Sequence, residues 1–106
     1  MTHPSTRIDD VVHQRVRLGI LAVLAPASDV DFGFIKETLE LTDGNLSRHL
    51  QVLEDAGYLT ITKGYEAKRP RTRVSITADG RRALEEEVRA LQELVTGIGN
   101  GARRKR

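Results

Sequence analysis

The stretch Leu41–Leu59 reads LTDGNLSRHLQVLEDAGYL, and the fold follows from how its residues divide between two faces. Leu46, Leu50 and Leu53 recur at spacings of four and three, the mark of an amphipathic helix. Thr42 supplies a hydroxyl that can accept from an otherwise unpaired amide at the helix start, and Asp43 complements the helix dipole there. Gly57 suits the left-handed position just past a helix end. A helix is therefore predicted over residues 42–56. Placing its residues at about 100° per step puts the three leucines on one face, with Thr42 and His49 at its edge. Gly44, Ser47, Arg48, Gln51 and Asp55 fall opposite. That outer strip is small and polar, with an arginine in its middle. A DNA major groove admits such a surface, and Arg, Gln, Asn and Ser are the residues that read base edges. Arg48 can bind a guanine through two hydrogen bonds, Gln51 or Asn45 can do the same for an adenine, and Ser47 can reach a base or a phosphate. The amides at Thr42–Asn45 favour a phosphate oxygen, although the Asp43 carboxylate would repel one.

Outward from this helix the pattern stays regular. Glu40-Leu41-Thr42 leaves room only for a tight turn, and before it Phe32, Ile35 and Leu39 predict a helix of two to three turns. A helical pair joined so closely crosses steeply and leaves its second member exposed on one side. Ala27–Asp31 reads as a break. Earlier still, Val12, Val16, Ile20 and Leu24, widened by Leu21 and Val23, predict a helix that Pro26 stops. Ile8, Val11 and Val12 fit a short element preceding it, and the polar residues 1–7 are expected to be disordered.

After Gly57 the period changes from helical to alternating. Tyr58–Lys63 and Thr72–Thr77 read as strands, with Gly64–Arg71 between them as a long, charged tip. Thr77 caps a last helix whose Leu84, Val88, Leu91, Val95 and Ile98 follow the spacing of a coiled-coil seam. So small a chain has little with which to cover that stripe, which favours a homodimer interface. Gly97, Gly99 and Gly101 are expected to fray the helix before the basic Arg103–Arg106. The fold class is mainly α with a small β-hairpin (α+β), in one domain over residues 8–98 with a flexible basic tail over 99–106.

Composition narrows the function. A length of 106 residues suits one compact domain. With no cysteine there is no disulfide, thiolate metal site or cysteine nucleophile, and His3, His13 and His49 lack metal-ligand spacing. No cofactor is expected. No phosphate loop, nucleophile–base–orienter set or pair of cleft carboxylates points to an enzyme. No run approaches the roughly 18 apolar residues of a membrane span, and the first residues lack the apolar core of a signal peptide. A cytoplasmic location is expected. The formal net charge of +2 conceals a local pattern. Arg103–Arg106 hold four of the 17 basic side chains, leaving 13 against 15 acidic ones, a net of −2. Lys63, Lys68, Arg69, Arg71 and Arg73 nonetheless crowd into eleven residues against Glu66 alone. Such clustering says more about partners than the total does.

Taken together, LTDGNLSRHLQVLEDAGYL, the basic hairpin and Thr77-Ala78-Asp79-Gly80 resemble the winged helix-turn-helix regulators of bacteria and archaea, most closely short stand-alone members of the MarR and ArsR groups. His13–Leu21 is similar to the first core helix of the same families. The resemblance covers roughly residues 8–96. It implies a three-helix core with a wing and a C-terminal dimerisation helix, in which residues 42–56 are the recognition helix. Thr42, Asn45, Ser47, Arg48 and Gln51 are then nearest the DNA, and Lys63, Lys68, Arg69, Arg71 and Arg73 form a wing over a minor groove or its phosphates. Leu84, Val88, Leu91, Val95 and Ile98 would join two copies, whose recognition helices would read a palindromic site about 34 Å apart. Two departures bear on regulation. The cysteine-containing metal box of ArsR sensors is replaced by Ile35-Lys36-Glu37-Thr38-Leu39, and the long terminal helices of many MarR proteins are missing or short. A small-molecule effector, were there one, would sit between the dimer helices and the DNA-binding core, and no residue set singles one out. The alternative is a winged helix that serves as a protein-interaction module, for which the net charge of residues 1–102 is the best support.

Overall fold

One short break in the apolar stripe of residues 12–24, at Gln14, sets the start of the fold. In the computed structural model, which describes residues 10–104, α1 (Asp10–His13) ends where Gln14 turns to an extended conformation and begins α2 (Arg15–Leu24). The Gln14 side-chain oxygen accepts from the amides of Val16 at 2.8 Å and Arg17 at 3.1 Å, so it caps a new helix and sets Val12 in the short preceding element, α1, which the sequence also suggested. The expectations for residues 1–7, for Ile8 and for residues 105–106 lie outside the described residues.

A strand absent from the sequence reading follows. Val30–Asp31 form β1, antiparallel to β3 with Val30 opposite Val74 and Asp31 opposite Arg73. Asp31 then caps α3 (Phe32–Thr38) through a 3.0 Å bond from the Gly33 amide. The helix α4 (Asp43–Asp55) opens on Thr42, whose hydroxyl accepts from Asn45 at 3.1 Å. It closes on Gly57, at φ +82°, with the Gly57 amide donating to Glu54 and the Tyr58 amide donating to Leu53, both at 2.9 Å. This paired closure satisfies the last carbonyls and turns the chain into the sheet.

The hairpin is tighter than the sequence implied. β2 (Leu59–Glu66) and β3 (Arg69–Ile76) pair without a break from Leu59 opposite Ile76 to Glu66 opposite Arg69. Only Ala67 and Lys68 are left at the tip, both at positive φ. The long tip expected over Gly64–Arg71 is therefore mostly ladder. Pro70 is accommodated because β1 reaches only Arg73 and Val74, leaving that side of β3 an open edge.

The core lies where α2, α3, α4 and the base of the sheet meet. Ile20, Leu21, Leu24, Ile35, Leu46, Leu50, Leu53, Leu59 and Val74 are buried there. The last helix, α5 (Ala78–Arg104), docks by its first turn. Thr77 donates from its hydroxyl to the Gly57 carbonyl at 2.6 Å and accepts from the Gly80 amide at 2.9 Å, while its own amide bonds the Tyr58 carbonyl at 3.0 Å. Ala83, Leu84, Glu87 and Ala90 turn inward from there. Glu87 is thus buried, although a carboxylate on a helix is ordinarily left to solvent. The helix also continues through Gly97, Gly99 and Gly101, where fraying was expected.

Candidate nucleic-acid interface

The inward turn of Leu46, Leu50 and Leu53 fixes what α4 offers outward. Thr42, Asn45, Ser47, Arg48 and Gln51 are all exposed, in line with the helical periodicity. Two local contacts alter the charge of this strip. The Lys36 ammonium lies 2.9 Å from the Asp43 carboxylate and offsets the repulsion that Asp43 would exert on a phosphate. The Gln51 side-chain amide donates to Asp55 at 2.9 Å and to Glu54 at 3.4 Å, so its donor is engaged within the helix. Glu54 also accepts from the Ile61 amide at 3.2 Å, tying α4 to the open edge of β2.

His49 sits at the rim of the apolar face, half-buried. Burial, reinforced by the positive charges of Arg17 and Arg48, holds its imidazole below the usual histidine range. Both influences favour the neutral ring over the charged one. Arg17, on α2, keeps its Nε buried with no hydrogen-bond partner among the described residues. Sequence reading missed Arg17 because its approach to α4 is set by helix packing.

The wing divides by strand alternation. Lys63 and Thr72 pair across the hairpin and line a groove with Phe32, Ser47, Leu50 and Gln51, so they share the side of α4. That groove has a volume of about 640 Å³. Arg69, Arg71 and Arg73 alternate to the other face, where Asp29, Glu66, Arg71 and Arg73 line a smaller depression. Lys68 stands at the tip. The five wing residues thus do not form one surface. Tyr65, two residues after Lys63 on β2, is 81% exposed, and nothing in the sequence signals it beyond its place in the charged tip. Of the expected dimer residues, Leu84 packs against the core and Leu91 is half-buried, whereas Val88, Val95 and Ile98 are exposed.

A sheet-flanked helix-turn-helix with an exposed polar second helix is the arrangement that comparison with known sequences matches. The sequence model described as "Winged helix DNA-binding domain" fits residues 16–95. The chain belongs to this family. A relative of it, an uncharacterized protein from Methanocaldococcus jannaschii, is 37% identical over 83 residues, 78% of this chain and 90% of that one. Among solved structures, a transcriptional regulator homologue from Pyrococcus horikoshii OT3 superposes with a TM-score of 0.83 at 33% identity, covering 92% of this chain and 98% of that one. The transcriptional regulator MOSR of M. tuberculosis, solved in complex with DNA, shares the fold at 19% identity with a TM-score of 0.69, over 90% of this chain and 68% of that one. The winged helix here also has the fold of MarR- and ArsR-family transcriptional regulators. The resemblance carried by residues 41–59 therefore identified the family.

Proposed function

We propose that this winged-helix protein is a regulator that binds double-stranded DNA sequence-specifically as a homodimer. The observation that carries the reading is the outward strip of α4: Asn45, Ser47, Arg48 and Gln51 are exposed while Leu46, Leu50 and Leu53 are buried. A helix so divided enters a major groove with its polar side leading. Arg48 reads a guanine, Asn45 reads an adenine, and Ser47 with the amino-terminal turn at Thr42 holds a phosphate. Gln51 contributes through its carbonyl oxygen, because its amide is engaged by Asp55 and Glu54. Lys63, Lys68 and Arg69 supply the wing's contacts to a minor groove or its phosphates. Affinity comes largely from those phosphate contacts and selectivity from α4.

Exposed apolar residues on α5 support pairing with a second copy, and a two-fold dimer reads a palindrome with its recognition helices about 34 Å apart. Selection of bound duplexes from a random pool tests the reading. The expected result is an enriched palindrome whose binding weakens steeply with salt. Arg48→Ala is expected to cost roughly 1–3 kcal/mol on the selected duplex and to relax preference at one position. Equal losses on every duplex would remove Arg48 from base reading. Binding that is absent, or insensitive to salt, would favour a protein-interaction module instead.

A further inference from the structure

Two of the five basic side chains of the wing have carboxylate partners. Arg73 Nη1 lies 3.2 Å from Asp29 Oδ1, and its Nη2 lies 3.6 Å from Glu66 Oε2. Arg71 Nη1 lies 3.6 Å from Asp31 Oδ1, and its Nε lies 3.8 Å from Glu66 Oε2. Lys63, Lys68 and Arg69 pair with no carboxylate among the described residues. The network of two arginines and three carboxylates has a net charge of −1, so its field does not draw a phosphate. It also occupies the sheet face away from the groove that Lys63 shares with α4. On that face Arg69, nearest the tip, is set apart from Arg71 and Arg73 only by having no carboxylate partner among the described residues.

What the network joins is informative. β1 is two residues long and pairs only with Arg73 and Val74, a ladder too short to hold by itself. The Asp29–Arg73 and Asp31–Arg71 pairs extend that attachment beyond the ladder. Asp31 serves two elements at once: Oδ2 accepts from the Gly33 amide at the start of α3, and Oδ1 faces Arg71 on the wing. The first helix of the helix-turn-helix and the wing are thus held by one carboxylate. A single exposed ion pair contributes little, but a connected set acts on geometry as well as energy.

We propose that Arg71 and Arg73 are positioning residues. With Asp29, Asp31 and Glu66 they brace the wing against the helix-turn-helix, and they leave wing phosphate contact to Lys63, Lys68 and Arg69. The second half rests on the DNA-binding reading above; the brace itself does not.

The test combines amide hydrogen exchange on the free protein with the salt dependence of binding to the selected duplex. Arg71→Ala and Arg73→Ala are expected to speed exchange at Val30, Asp31 and Val74 and to leave the slope of log K against log salt unchanged. Lys68→Ala and Arg69→Ala are expected to lower that slope by about 0.9 each and to leave exchange unchanged. Arg73→Asp should loosen the sheet edge, and adding Asp29→Arg should restore part of its protection, since the swap re-forms that one pair and the net charge but leaves Glu66 without its Arg73 contact. The brace is overturned if Arg71→Ala and Arg73→Ala flatten the slope as Lys68→Ala does while exchange stays as in the parent. If the exchange results appear as expected but no variant, nor the parent, binds DNA in a salt-sensitive way, the brace stands and the DNA-binding reading fails.

Discussion

Gly80 has no room for a methyl group. A Cβ built there would lie 2.0 Å from the Tyr58 carbonyl oxygen and 2.9 Å from Ile76 Cγ1, and the first of these is backbone that cannot swing aside. Alanine would gain about 1 kcal/mol of helix propensity, but overpacking of this kind costs typically 1–3 kcal/mol, and here it also pries the Thr77 joint apart. Gly80→Ala is therefore expected to destabilise the protein by about 1–2 kcal/mol in urea unfolding; a more stable variant would mean that α5 does not dock on Tyr58. His49 yields a second expectation with a definite sign. Its folded pKa is lowered by burial, then by Arg17 and Arg48, so the unfolded chain binds the proton more readily. The stability linked to His49 is complete above pH 6.5 and is lost as pH falls from 6.5 toward the lowered folded value. NMR titration of the His49 ring should give a midpoint below 6.5, and His49→Gln should flatten the dependence of stability on pH in that window. A midpoint at or above 6.5 would contradict the packing of α2 on α4.

At the scale of elements, the helices were legible because each carries its own periodicity and punctuation. Thr42, Gly57 and Pro26 mark boundaries by chemistry that acts within a few residues. The outward strip of α4 was legible for the same reason: three leucines define the inner face, and the rest follows by rotation. What was not legible depends on partners distant in sequence. β1 is a strand only because Val74 and Arg73 lie opposite it, and the carboxylates of Asp29 and Asp31 acquire a role only through that pairing. The hairpin tip was misjudged because Ala67-Lys68 lacks the Asn-Gly or Asp-Gly signal of a two-residue turn, although both residues adopt positive φ, 50° and 65°. Such conformations cost L-residues roughly 1–2 kcal/mol each. Ala67→Asn should therefore raise Tm while leaving the salt slope of DNA binding intact. Lys68→Gly should also raise Tm but flatten the slope, since it removes the tip charge. If neither substitution stabilises the protein, the two-residue turn is not the resting form of the tip.

The whole molecule extends 65 × 25 × 22 Å, a shape dominated by the 27 residues of α5. At 1.5 Å per residue the helix is about 40 Å long, more than the core can cover. The expected interface stripe is accordingly divided. Leu84 is committed to the core of its own chain, while Val88, Val95 and Ile98 remain 42%, 69% and 73% exposed. Apolar side chains on the far half of a projecting helix gain burial only from another chain, and a second α5 offers the same surface to the first. Because Val95 and Ile98 add little to the core, charging them tests association apart from folding. Val95→Glu with Ile98→Glu is expected to preserve the Tm of the core at low concentration and to halve the mass measured by analytical ultracentrifugation. On a palindromic duplex the pair should weaken binding far more than on an isolated half-site, since linked engagement of the two half-sites is lost. An unchanged mass in the charged variant would place the dimer contact elsewhere, and a monomeric parent would leave each winged helix to read a single half-site alone.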